Sequence, residues 1–210
     1  MDELHPEDVP YGNDWDSEQD VAAWASEADL KRPWREQIRE LIARRVATLS
    51  QGARILELGS GPGFLARRVL DTCPNVTAYT LVDFSEPMLA LSRERLALHP
   101  AASFVLASFK AEDWPRRVDA PFDCVLSMQA IHELRNKQHA VRLYGQVYRI
   151  LATPGLIMIC DHIPFGPSRN TTLYMTEQEQ QDTLAKARFS NVHVELRVDS
   201  LVLYAGHRNA

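Results

Sequence analysis

A chain of 210 residues is long enough to bury a full core and short enough for one ordinary domain, with or without a short arm. Its hydrophobic share of 45% excludes global disorder, and a formal charge of -5 excludes the basic footprint that nucleic acid or an anionic membrane calls for. A small-molecule partner is the expectation.

Residues 1–30 are acidic and hold Tyr11, Trp15 and Trp24 among polar neighbours, which predicts either a partly disordered arm or a lid whose aromatic side chains close over a ligand. The N-terminus has no apolar h-region, and no run approaches the roughly 18 apolar residues of a membrane span, so a cytoplasmic protein is expected. From Lys31 to Leu49, Trp34, Ile38, Leu41, Ile42, Val46 and Leu49 recur at helical spacing. The basic residues of that stretch, Arg32, Arg35 and Arg39 among them, alternate with Glu36 and Glu40 and read as a solvated face.

The run RILELGSGPGF, Arg54 to Phe64, joins a buried strand to a glycine turn and a helix. Gly59, Gly61 and Gly63 allow positive φ and close approach of a ligand, and Glu57 sets a carboxylate at the strand's end. The spacing G-x-G-x-G differs from the dinucleotide fingerprint G-x-G-x-x-G, whose third glycine is Phe64 here, and an acid so close opposes a pyrophosphate. A helix over Phe64–Thr72 precedes a strand over Thr77–Asp83, whose terminal acid can accept the hydroxyls of a ribose. Ser85 caps the next helix with Pro87 in its first turn, and SFVLA, Ser103 to Ala107, forms the third strand.

FDCVLSM, Phe122 to Met128, is the fourth strand, and the loop QAIHEL after it brings His132 and Glu133 to the ligand-binding end. A helix from Asn136 to Ala152 is ended by Pro154-Gly155, and Leu156 to His162 is the fifth strand, with Asp161 and His162 at its end. Thr176 with Glu179 reads as a capping box, and Val192–Val198 and Ser200–Arg208 as a hairpin turning at Asp199-Ser200. Cys73, Cys124 and Cys160 are odd in number, far apart and without metal-ligand spacing, so reduced thiols and no metal are expected.

The motif ELGSGPG, the acid Asp83, the segment VYRILATPGLIMICD and the terminal hairpin together resemble the class I S-adenosylmethionine (SAM) dependent methyltransferases, over roughly Arg54 to His207. The resemblance implies a doubly wound α/β fold, a mostly parallel seven-stranded sheet with an antiparallel C-terminal hairpin, spanning residues 31–210 behind the arm. It implies SAM as cofactor, with Glu57, Gly59, Ser60 and Gly61 on its methionine part, Asp83 on the ribose, and Phe84, Met88, Ser108, Phe109 and Met128 about the adenine. Ser108 stands where many members have an acid. His132, Glu133 and His162 are the expected groups on the acceptor side, His132 first because its usual pKa lies near neutral. The expected reaction is direct in-line methyl transfer to a small molecule by a monomer or homodimer. A SAM-binding partner without catalysis is the alternative; a nicotinamide oxidoreductase is opposed by the glycine spacing and the hairpin.

Overall fold

The computed structural model describes residues 7–166 and 170–209; the first six residues of the expected arm, residues 167–169 and residue 210 lie outside the described residues. The elements run α1 (Glu18–Lys31), α2 (Arg35–Val46), β1 (Ala53–Leu58), α3 (Phe64–Thr72), β2 (Val76–Asp83), α4 (Glu86–Arg95), β3 (Ala102–Leu106), β4 (Phe122–Met128), α5 (Ala140–Ile150), β5 (Leu151–His162), α6 (Glu177–Lys186), β6 (Ser190–Val198) and β7 (Leu201–Arg208). The seven strands form one sheet in the order β3-β2-β1-β4-β5-β7-β6. The first five are parallel, while β7 runs antiparallel to both its neighbours. The order reverses between β1 and β4, and in open α/β sheets a ligand crevice forms outside the strand ends at that point.

Alternation along the strands divides the core between two faces of the sheet. Leu56, Leu58, Val125, Ile157 and Ile159 pack under Leu143, Tyr144 and Val147 of α5 and Leu184 of α6. Ile55, Cys124, Leu126, Met158 and Cys160 pack under Ile38, Ile42 and Val46 of α2 and Leu65 and Val69 of α3. Both faces are covered, so the central strands are largely apolar, as is usual for parallel strands, with Glu57 of β1 a buried exception.

Several boundaries differ from the sequence reading, among them the start of α5, at Ala140 instead of Asn136, after a short 3-10 turn over Lys137–His139. The helix expected from Lys31 begins at Arg35, because Lys31 closes a separate helix, α1, carrying Val21 and Ala28 into the interior; the arm is therefore partly helical. Helix α5 stops at Ile150, four residues before Pro154, because Leu151 is already extended and pairs with Phe122 of β4. Pro154-Gly155 lies in an irregular stretch of β5, where the register moves from Leu151 opposite Phe122 to Leu156 opposite Cys124. The Ser85 cap, which accepts from the Met88 N–H, and the capping box of Thr176 and Glu179 are present as expected.

Candidate functional site

The end of β1 continues into the glycine turn by hanging on β2: the N–H groups of Gly59 and Ser60 both donate to the Val82 carbonyl, at 2.8 and 3.1 Å. Gly59, Gly61 and Gly63 have φ of 64°, 52° and 78°, but they serve different ends. A Cβ on Gly59 would lie 2.2 Å from the Ala130 Cβ, so this glycine lets β1 close against the loop after β4. A Cβ on Gly61 would meet nothing within 4 Å, and Gly61 is the glycine that borders open space.

Asp83 fastens the turn from β2. Its Oδ2 accepts from the Gly61 N–H at 2.8 Å and its Oδ1 from the Ser85 N–H at 2.9 Å. Burial lifts its pKa to about 6, against the pull of those N–H groups. Glu57 is 2% exposed and accepts from the Tyr79 hydroxyl at 2.7 Å. Burial raises its pKa to about 8, with the Tyr79 hydrogen bond opposing and Asp83 adding.

All the expected site residues except Ser108 border one cavity of about 260 Å³ at the β1–β4 reversal. Glu57, Ser60, Gly61 and Asp83 form one end, Phe84, Met88 and Phe109 an apolar wall, and Met128, His132, Glu133 and His162 the end towards β5. Ser108 borders an adjoining depression with Phe84, Leu106 and Trp114, and its hydroxyl accepts from the Lys110 N–H at 3.1 Å.

At the β5 end, Asp161 organises the two histidines. Its carboxylate accepts from the His132 N–H at 2.8 Å, bonds His132 Nδ1 at 2.7 Å and accepts from the His162 N–H at 2.7 Å. Burial pulls the His132 pKa down, but Asp161 outweighs it and holds the imidazole above its ordinary value. Asp161 itself lies below the usual carboxylate range, the two histidines overcoming its burial. His162 is pushed down to about 4 by burial and is neutral, its ring nitrogens engaged by Gln129 and Ser200 at 2.8 Å each. Glu133 sits 3.5 Å from His132 Nε2 and bonds Arg135 at 3.2 Å. Gln129 takes φ 58°, a strained value for a residue with a side chain, and its N–H reaches the Cys160 carbonyl at 2.7 Å, which turns the chain after β4 across the end of β5.

The N-terminal segment completes the cavity. Trp15 and Trp24 meet edge to face with centroids 5.7 Å apart and both line it, and the Ser85 hydroxyl donates to the Trp15 carbonyl. The segment is fastened where Val9 exchanges backbone and side-chain hydrogen bonds with Arg135 and where Asp8 pairs with Lys110 at 3.1 Å and His139 at 2.8 Å. Arg32, Arg35 and Arg39 also line the cavity. This corrects the reading of a solvated basic face: Arg35 and Arg39 are 4% and 6% exposed, because the end of α1 reaches them, Ala28 accepting from Arg35 and Asp29 from Arg39. Tyr174, which no motif marks, stacks near His132 and His162 with centroids 5.6 and 5.8 Å away.

The residues present fit SAM. The Ser60 hydroxyl is buried on the cavity and lacks a hydrogen-bond partner, Gly61 leaves room for a ligand against bare backbone, and two carboxyl groups stand at the end where a cationic amino acid and a ribose would lie. Among the described residues no cluster could hold a metal ion, and no helix is long and apolar enough to cross a membrane.

A family model described as "Methyltransferase domain" matches residues 55–155. The chain is 29% identical over 160 residues to a malonyl-[acyl-carrier protein] O-methyltransferase of Geobacter sulfurreducens, covering 68% of this chain and 57% of that protein. It is 23% identical over 143 residues to a citrinin polyketide synthase of Monascus ruber, covering 67% of this chain and 5% of that much longer protein. The chain thus spans little more than half, or a small fraction, of the relatives it matches. In fold it is similar to a phosphoethanolamine N-methyltransferase of Haemonchus contortus solved with S-adenosylhomocysteine, with TM-score 0.72, 15% identity, and coverage of 96% of this chain and 61% of the other. Strand order, glycine turn and these matches agree: residues 55–155 match a methyltransferase domain, and the chain has the fold of the class I SAM-dependent methyltransferases.

Proposed function

We propose that the protein transfers a methyl group from SAM to an oxygen of a small-molecule acceptor, with His132 as the base. The observation that carries this reading is that His132, held from behind its Nδ1 by Asp161, faces the same cavity as the glycine turn and Asp83. The name of the Geobacter relative, an O-methyltransferase, supports an oxygen acceptor. When bound, SAM supplies an activated methyl on a sulfonium, so no covalent enzyme residue is required. Glu57, Ser60 and Gly61 hold the methionine part, with Gly59 closing the turn behind them; Asp83 holds the ribose, and Phe84, Met88, Phe109 and Met128 flank the adenine. Asp161 orients His132 by its Nδ1 and leaves Nε2 for the acceptor hydroxyl, whose proton it takes as the new O–CH3 bond forms. Glu133 and His162 shape that end, His162 as a neutral group.

The cavity of about 260 Å³ is below the usual ligand-site range of roughly 300–1,000 Å³. The segment bearing Trp15 and Trp24 is therefore read as a lid over residues 31–210 that opens to admit ligands and closes to exclude water. The acidic charge and the three buried free thiols support a cytoplasmic monomer or homodimer acting on a small molecule, without nucleic acid or membrane.

The test is calorimetric binding of S-adenosylhomocysteine, followed by a screen of hydroxylated acceptors with labelled SAM. Binding without turnover on any acceptor would favour a SAM-binding partner that lacks catalysis. Asp83→Ala is expected to keep a native circular dichroism spectrum and to weaken S-adenosylhomocysteine about a hundredfold, as two hydrogen bonds to a charged group are lost; wild-type affinity would remove Asp83 from the site. With an acceptor in hand, His132→Ala should lower turnover about 10²–10⁴-fold. Because Asp161 raises the His132 pKa, Asp161→Asn should move the acid limb of the rate profile to lower pH; an unmoved limb would assign the titration elsewhere.

A further inference from the structure

The cavity has two electrostatic ends. Glu57 and Asp83 stand at the glycine turn, whereas Arg32 and Arg35 enter from the α1–α2 junction. Both share the cavity's lining with His162 and Tyr174, and their positive charge disfavours the imidazolium form of His162. Arg39, the third arginine, is already satisfied: its guanidinium is bidentate to Asp29 at 2.9 and 3.1 Å and bonds Glu36 at 2.8 Å, and it lies over Phe64 beside the glycine turn. Arg35 differs. It is 4% exposed, donates only to the Ala28 carbonyl at 3.2 Å, and its Nε has no acceptor. Among the described residues neither Arg32 nor Arg35 has an ion-pair partner within 4.0 Å. The nearest counter-charge to Arg35, Asp29, is already bidentate to Arg39, and a buried guanidinium so under-compensated is destabilising unless an anion completes it.

We propose that the methyl acceptor carries an oxyanion group, a carboxylate or phosphate, which Arg35 and Arg32 bind at the β5 end while the acceptor's hydroxyl faces His132. The planar guanidinium of Arg35 offers the fork that such a group accepts, and the Trp24 ring, 5.5 Å from its centre, braces it from behind. Trp15 and Tyr174 line the same cavity and leave an aromatic or other apolar body between anion and hydroxyl. The proposal rests on the methyl-transfer reading of this cavity.

The probes are benzoate and phenyl phosphate, with benzamide as the neutral control, titrated calorimetrically into protein saturated with S-adenosylhomocysteine. At least one anion should bind about tenfold or more tightly over benzamide, and which one does so identifies carboxylate or phosphate. Arg35→Gln and Arg32→Gln should each abolish that preference while S-adenosylhomocysteine affinity stays within about threefold; Arg32, half-buried, keeps the test decisive if Arg35→Gln does not fold. Equal binding of all three probes, or a preference that survives both substitutions, overturns the proposal. So does an Arg35→Gln variant that weakens S-adenosylhomocysteine but not 5′-methylthioadenosine, since the arginine would then hold the cofactor's own carboxylate. Failure of the wild type to bind S-adenosylhomocysteine would refute the methyl-transfer reading, and the same anion titration on unloaded protein would still judge the arginine pair.

Discussion

Gly59→Ala is expected to lower the unfolding free energy by about 2–5 kcal/mol and to abolish S-adenosylhomocysteine binding, whereas Gly61→Ala should spare the packing and hit binding above all. The two positions share a positive φ, of 64° and 52°, so the backbone penalty of about 1–2 kcal/mol is common to both. They differ in surroundings. The methyl group introduced by Gly59→Ala would lie 2.2 Å from the Ala130 Cβ and 3.3 Å from Phe109, atoms held in the segments that follow β4 and β3, and over-packing of that kind adds about 1–3 kcal/mol. The methyl group introduced by Gly61→Ala meets nothing within 4 Å of the protein and intrudes only where the ligand lies. Urea unfolding of the three proteins measures the difference, and Ala130→Gly in the Gly59→Ala background should recover the steric part. Equal stability of Gly59→Ala and wild type would mean that β1 and the β4 loop do not approach as described.

Glu57→Gln should make the protein more stable than wild type at pH 8 by as much as about 4 kcal/mol, and leave it unchanged near pH 4.5. In the folded protein, burial holds a proton on Glu57 up to a pKa of about 8, while the unfolded chain releases it near the ordinary 4.5. Folding therefore takes up a proton between those values. Stability from this residue is full below about pH 4.5, falls as pH rises, and levels off above about 8. Glutamine has no proton to lose, so its curve lacks this slope; unfolding curves recorded from pH 4.5 to 8.5 separate the two, and parallel curves would rule out the raised pKa. A cationic ligand end beside Glu57 reverses the preference, because it favours the carboxylate. Binding of S-adenosylhomocysteine at pH 7 should then release up to about one proton in wild type and less in Glu57→Gln, which calorimetry in buffers of different ionisation enthalpy reads directly.

The features legible in the sequence are those whose causes are local. Ile55, Leu56 and Leu58 before three glycines specify a buried strand entering a left-handed turn, Ser85 and Thr176 cap their helices through their own next residues, and Asp199-Ser200 turns a hairpin. The order of these pieces is enough to name the fold family and most of the residues that border the cavity. Pro154-Gly155 misleads because a proline ends a helix only if the helix reaches it, and the pairing of Leu151 with Phe122 stops α5 earlier. Tertiary structure alone decided the rest. His132 and Asp161 are 29 residues apart and meet because β4 and β5 are neighbours and Gln129 bends the chain across their ends. Arg32, Arg35 and Arg39 have the spacing of a solvated helix face, and spacing records which side chains share a face without recording what covers it. Here Ala28 and Asp29 of α1 engage Arg35 and Arg39, so side chains that spacing marks as surface charges become part of a cavity wall.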